Sequence, residues 1–207
     1  MTFELLIKKV FLIFLFIITI KANAMESNIK VLMYHKIGDN KYPSTNISKE
    51  LFEEHIKYLV EENIKVLPIT ELSKYLKNEV NLPKKTVFIT FDDAYKSFFQ
   101  NGFPILKKHK LPFSIFVSSH FVSNAEESDF MSWSMLKEVS ESHGLILNHS
   151  KSHESLVGMD IQTLKKEIEQ NQIEIDKYIG EQPKIFSYPY GESSKNIEEV
   201  LKLLNYE

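Results

Sequence analysis

Two adjacent carboxylates, Asp92 and Asp93, close the run Thr86-Val87-Phe88-Ile89-Thr90-Phe91. Neighbouring carboxylates repel unless something divides their roles, usually a bound cation that takes one of them. A second pair, His149 and His153, stands four residues apart. Imidazoles at that spacing, on a helical turn or in a tight loop, can reach one ion together. Two neutral nitrogens and one carboxylate then leave a position open for water. A third segment, Tyr188-Pro189-Tyr190-Gly191, reads as a turn. Each feature has a bland alternative: an Asp pair can cap a helix, and seven histidines in 207 residues make one His-x-x-x-His pair an expected coincidence. The conjunction carries the signal, because all three segments directly follow a predicted strand.

The elements that must position these groups follow from periodicity. Val87–Phe91 is short and wholly apolar, the mark of a strand buried on both faces of a parallel sheet. Acids at its C-terminal end sit where α/β folds build their sites. Gly144–Leu147 is strand-like and ends at Asn148-His149, and Lys184–Phe186 is a short strand before the Tyr-Pro-Tyr-Gly turn. A first strand covers Ile29–His35, followed by a loop. Ser48 then caps a helix, with Ile47 and Phe52 placed as a hydrophobic staple. That helix carries Leu51, Phe52, His55, Ile56, Leu59 and Val60 on one face. Lys65–Ile69 is a short strand interrupted by Pro68, and Thr70 starts a helix. The next helix spans about 94–109 and is bent or restarted at Pro104. Pro112–Val117 is a strand, Ser118–Asp129 a polar loop, and Ser132 or Ser134 caps a further helix. Asp160 caps a long helix with Ile161, Leu164, Ile168, Ile175 and Ile179 at helical spacing, ended by Gly180. Asn196–Leu204 is the last helix. This alternation predicts βαβ units and a parallel sheet, open or closed into a barrel.

With 43% hydrophobic and 26% charged residues the composition is globular, and a net charge of -3 without a basic cluster excludes nucleic acid as a partner. No cysteine is present, which removes disulfides, thiolate chemistry and sulfur metal sites. Lys8-Lys9, the apolar run Val10–Ile20 and Ala22-Asn23-Ala24 read as an export signal cleaved after Ala24. The run falls short of the ~20 apolar residues of a permanent span, so no stable membrane span is expected once the signal is cleaved. Roughly 180 remaining residues suffice for a core without staples. His55, Phe98, Phe99 and Phe103 read as packing residues. Trp133, at a helix start, reads as core in preference to a sugar platform. Glu126-Glu127 reads as solvated charge.

Thr90-Phe91-Asp92-Asp93, His149-Ser150-x-x-His153 and Tyr188-Pro189-Tyr190-Gly191 resemble, in order and spacing, the first three motifs of the polysaccharide deacetylases. These are the family 4 carbohydrate esterases that share the NodB homology domain. Met33-Tyr34-His35 and Met131-Ser132-Trp133 look like the branch acting on poly-N-acetylglucosamine and related exported polymers. The resemblance covers roughly residues 30–207. It implies a distorted (β/α) barrel, incomplete at its C-terminal end. The expected division is a signal at 1–24, a strand–helix segment at 25–85 packing on the barrel, and the deacetylase domain at 86–207.

By the same resemblance Asp93, His149 and His153 would hold one divalent ion, usually zinc, with cobalt, nickel or manganese serving in relatives. Asp92 would be the general base that deprotonates the metal-bound water as it attacks an acetamide carbonyl. The ion and the Tyr190 backbone N–H would stabilise the oxyanion, work worth several kcal/mol in such sites. Ser150 would support the loop, and Pro189 and Ser150 are candidates for substrate contact. The substrate implied is an extracytoplasmic polysaccharide of N-acetylglucosamine, and the oligomeric state is left open. Two departures stand out. Ser187 occupies a position where relatives commonly carry an Arg that orients the catalytic Asp. The Leu-x-His motif, whose His protonates the leaving amine, has no match after Gly191. The chain is therefore expected to be a truncated product or fragment, a simpler reading than His35, at the mouth of the first strand, serving as a substitute donor. The alternative is a metal- or glycan-binding remnant without turnover, and hydrolysis of O-acetyl esters is a third reading.

Overall fold

The computed structural model describes residues 28–207 apart from 40, 42, 126 and 127. The export signal expected at 1–24 and the Glu126-Glu127 pair lie outside the described residues. In chain order the strands are β1 (Asn28–Tyr34), β2 (Lys36–Ile37), β3 (Asn46–Ile47), β4 (Lys65–Val66), β5 (Lys85–Asp92), β6 (Phe113–Val117) and β7 (Gly144–Asn148). The helices are α1 (Lys49–Glu61), α2 (Thr70–Leu76), α3 (Phe103–His109), α4 (Ser119–Ser123), α5 (Trp133–Ser140), α6 (Ile161–Ile179) and α7 (Lys195–Leu203).

Every residue of β5 after Lys85 is buried, as the unbroken apolar run requires of a central parallel strand. β1 lies along one edge of it, in register from Asn28↔Lys85 to Tyr34↔Phe91. The other edge is shared: β4 pairs at its start, Lys65↔Thr86, and β6 at its end, Thr90↔Ser114. β7 adds to β6, and Phe186 makes one parallel bridge to Asn148. All these pairings are parallel, the α/β architecture expected from the alternation of elements. Among the described residues the path is open, β1-β5-β6-β7 with β4 also on β5.

Side chains alternate across the strands, and the two faces have separate fates. Val87, Ile89 and Phe91 pack with Phe113, Ile115, Ile146 and helix residues such as Phe52, Ile56 and Leu136 in the main core. Phe88 joins Phe116, Leu147, Ile69 and Ile185 on the opposite face. Each such side chain taken from water contributes about 1.5–3 kcal/mol. On that second face Val31 and Met33 of β1 remain 47% and 61% exposed, so the sheet is covered there only in part. A third cluster joins Leu164 and Ile168 of α6 to Ile197, Val200 and Leu201 of α7, with Leu156 beneath the preceding loop.

Several boundaries moved. Ser48, Ser132 and Asp160 accept backbone N–H groups as caps, the expected roles. Leu51 and Val60, expected on the buried face of α1, are exposed, because Phe52, Ile56 and Leu59 already fill the groove. Ile161, at the start of α6, is exposed for a similar reason, being ahead of the first buried turn. The helix expected to bend or restart at Pro104 does restart there, α3 beginning at Phe103 with Pro104 in its first turn, and a π-helical turn over Phe98–Gly102 precedes it. A Cβ at Gly102 would meet Ile37 Cδ1 at 2.4 Å and Phe98 at 2.9 Å, so only glycine lets this turn approach β2. The polar loop expected at Ser118–Asp129 contains α4, the strand expected at Lys65–Ile69 stops at Val66, and Lys184–Phe186 contributes only the bridge at Phe186.

Candidate active site

The three segments that carry the chemistry converge at the C-terminal mouths of β5 and β7 and the turn after Phe186. They line one cavity of about 1050 Å3 together with His35. β5 ends at Asp92, yet the Asp93 N–H still bonds Phe116 O at 3.0 Å, so both acids are anchored by the sheet. Asp93 and Ala94 then take left-handed backbone angles, φ 70 and 60, and the chain turns sharply away. That turn is pinned by Met131 N to Ala94 O at 2.8 Å and Lys96 N to Asp129 O at 2.7 Å. A stack of Tyr95, Phe130 and Phe121 backs it, with ring centroids 4.8 and 4.4 Å apart.

His149 is fixed at every polar atom but one. Its N–H bonds Val117 O at 3.0 Å, its carbonyl accepts from Ser118 Oγ at 2.8 Å, and its Nδ1 lies 2.8 Å from Ser187 O. A carbonyl can only accept, so Nδ1 carries the hydrogen and Nε2 keeps its lone pair, the arrangement of a metal-ligating imidazole. Burial pushes His149 down to about 4, so the ring is neutral at physiological pH. Ser150 and His153 are again left-handed, φ 62 and 59, and Ser150 Oγ accepts the His153 N–H at 3.2 Å. The loop thus folds back and brings His153 Nε2 to 3.0 Å and His149 Nε2 to 3.7 Å from Asp93 Oδ1.

These distances test whether a cation fits. Zn–N and Zn–O bonds of about 2.0–2.1 Å place tetrahedral ligands roughly 3.3 Å apart. The two measured separations, 3.0 and 3.7 Å, bracket that figure, and one ligand atom from each of the three residues lies within 4.8 Å of the others. Asp93 Oδ1 is buried and has no well-aligned hydrogen bond, although His153 Nε2 comes within 3.0 Å and helps hold the carboxylate ionised. An orphaned buried carboxylate oxygen facing a lone-pair nitrogen is costly without a cation. The donor set fits one divalent ion.

Electrostatics separates the two acids. Burial pushes Asp92 up to about 7, and the Asp93 charge pushes in the same direction. Burial also acts to raise Asp93, but the neighbouring His153, His149 and His35 outweigh it and hold that carboxyl below the usual range. One carboxylate is therefore ionised and ready for a cation while the other titrates near neutrality, where a general base works best.

The polysaccharide deacetylase family model matches residues 79–207. The chain belongs to the polysaccharide deacetylase family. YxkH of Bacillus subtilis is 30% identical over 177 residues, which are 85% of this chain and 60% of that protein. The poly-β-1,6-N-acetyl-D-glucosamine N-deacetylase of Staphylococcus aureus is 29% identical over 194 residues, covering 88% of this chain and 65% of that enzyme. The chain thus spans less than two thirds of the length of these two relatives. Among solved structures, IcaB from Ammonifex degensii superposes with a TM-score of 0.79 at 26% identity over 86% of this chain and 81% of that one. The Streptococcus pyogenes deacetylase PplD, in complex with acetate, shares the fold with a TM-score of 0.79 at 23% identity over 86% of this chain and 80% of that one.

Within this deacetylase-family fold the remaining sequence candidates have definite places. Pro189 is buried and opens a short 3-10 turn, while Tyr190 is left-handed and 67% exposed, its ring edge-on to His153 at 4.8 Å. Ser150 is fully buried, with its hydroxyl turned to the His153 N–H. Ser187 serves through its backbone: its carbonyl orients His149 and its N–H bonds Asn148 O at 3.1 Å. His35 lines the same cavity at the mouth of β1. Burial lowers its pKa, and it feels the charges of Asp93 and His153. Trp133 is half-buried against the main core and stacks on Tyr178 at 4.7 Å. Sequence reading missed Asn171, a fully buried amide that bonds Val117 O and the Ser119 N–H at 2.8 Å. Its signal was visible: a polar residue interrupts the apolar stripe of α6.

Proposed function

We propose that this protein removes N-acetyl groups from an extracytoplasmic polysaccharide of N-acetylglucosamine, as a metal-dependent hydrolase. The observation that carries the reading is the gathering of Asp93, His149 and His153 around one point, with Asp92 beside them on the floor of an open cavity. A divalent cation in that position, zinc first, supplies a Lewis acid and makes water nucleophilic at neutral pH. Asp92 takes the proton from the attacking water, a role its raised pKa suits. Tyr190 lines the cavity at a left-handed turn, and its N–H is the donor assigned to the developing oxyanion. His35 reaches the cavity from the mouth of β1 and is a candidate to give the proton to the departing amine. Pro189 is buried behind Tyr188 and Tyr190, which line the cavity, so it acts on substrate through the turn it opens, and Ser150 supports the metal loop. The export signal at 1–24 puts the enzyme where such a polymer is found, ahead of the segment at 25–85 and the deacetylase domain at 86–207.

The test is acetate release from a short β-1,6-linked N-acetylglucosamine oligomer with zinc added. Turnover is expected, with kcat/KM rising on an acidic limb at or below pH 7, because a cation at Asp93 draws the Asp92 pKa down from its raised value. Asp92→Asn is expected to lose activity by at least 100-fold while keeping the ion, and His35→Ala to lose kcat more than KM. Turnover that survives Asp92→Asn removes the assigned base. Stoichiometric zinc binding without any acetate release favours the second reading, a metal- or glycan-binding protein without turnover.

A further inference from the structure

We propose that Asn148, clamped by Asn171, is a positioning residue for the metal-binding loop, an inference that rests on the metal reading above. Both amides are fully buried. Asn148 Oδ1 accepts the Ser150 N–H at 3.0 Å and an Asn171 Nδ2 hydrogen at 2.8 Å. Its Nδ2 donates to Ile168 O at 2.9 Å and to Tyr206 Oη at 2.6 Å, with Gln172 Oε1 at 3.5 Å. The second Asn171 Nδ2 hydrogen goes to Val117 O, and its Oδ1 accepts the Ser119 N–H, both at 2.8 Å. Every hydrogen of both amides has an acceptor, so neither can flip without setting oxygen against oxygen.

The consequence reaches the ligands through two backbone groups. Val117 O accepts from both the Asn171 side chain and the His149 N–H, so one carbonyl ties α6 to the first imidazole. Asn148 Oδ1 fixes the N–H of Ser150, the residue held at φ 62. That left-handed step is one a serine adopts only when its surroundings hold it. It reverses the chain so that Ser150 Oγ can cap the His153 N–H and return His153 Nε2 to Asp93. Without the Asn148 acceptor the step relaxes, and the two imidazoles no longer share a point. The outer end of the network, Tyr206 donating to Gln172 Oε1 at 2.8 Å, contributes to packing but touches neither ligand.

The experiment is a cobalt(II) titration of the full chain, reading affinity and the visible ligand-field band, alongside thermal melting of each metal-free variant. Asn148→Ala is expected to weaken cobalt binding at least tenfold and to shift the band, as loss of groups that orient ligands does elsewhere. Asn171→Ala is expected to weaken it by a smaller factor. Tyr206→Phe takes one acceptor from the Asn148 amide but leaves Asn148 Oδ1 and its bonds to Ser150 and Asn171 in place, so it should lower the melting temperature while weakening cobalt binding far less than Asn148→Ala. The proposal is overturned if Asn148→Ala binds like the parent, if Tyr206→Phe weakens binding as much, or if neither Asn variant folds. A parent protein that takes up no cobalt overturns the metal reading itself, and the parent trace alone tells the two failures apart.

Discussion

Asp92 and His149 are buried in the same cavity with opposite protonation habits, and their contributions to the pH dependence of stability offset each other. Burial raises Asp92 from 3.8 to about 7 and lowers His149 from 6.5 to about 4. In the metal-free protein between those limits the folded site keeps Asp92 protonated and His149 neutral. The unfolded chain there has Asp92 ionised and His149 protonated. The proton counts match, so the two slopes cancel. Asp92→Asn leaves His149 alone; the unfolded state then binds more protons, and stability rises with pH from about 4 to 6.5. His149→Asn leaves Asp92 alone; its folded pKa is the higher, so stability falls as pH rises towards about 7. Each slope is at most about 1.4 kcal/mol per pH unit. Melting curves of both variants in the presence of a chelator check this, and slopes of the same sign would refute it.

At the scale of elements the site depends on how closely strand and helix ends approach each other. Gly102→Ala gains up to about 1 kcal/mol of helix propensity. It also drives a methyl to 2.4 Å from Ile37 Cδ1, and overpacking costs about 1–3 kcal/mol. The expected outcome is a net loss of stability by urea unfolding, and an unchanged midpoint would contradict the packing. This contact also marks what the sequence could convey. The buried run of β5, the caps at Ser48, Ser132 and Asp160 and the apolar stripe of α6 depend on local pattern, and they were legible. The π turn at Phe98–Gly102 depends on β2 pressing from a distant part of the chain, and no local periodicity encodes that. The acid pair and the histidine pair were likewise legible as motifs. Their convergence depends on four left-handed residues, Asp93, Ala94, Ser150 and His153, none of them glycine. Side-chain preference argues against those angles, so only the assembled hydrogen bonds reveal them.

For the molecule as a whole, a ligand that binds the folded state alone stabilises it by mass action. Free zinc at a hundredfold excess over its dissociation constant adds about 2.7 kcal/mol. For a chain of this size that corresponds to a rise of roughly 5–10 °C in Tm. Scanning calorimetry with zinc and then with chelator measures it. The rise is expected to vanish in Asp93→Ala, which removes the carboxylate of the three-residue group, and a rise that persists there would place the ion elsewhere. The order of pairing has a further consequence during synthesis. β1 is made first, yet its ladder partner is β5, which ends at Asp92. At about 5–20 residues per second the nascent chain trails that first strand for several seconds before its partner has left the ribosome. For that interval Asn28–Tyr34 is an unpaired ribbon, in a form that a chaperone can hold or a narrow pore can thread.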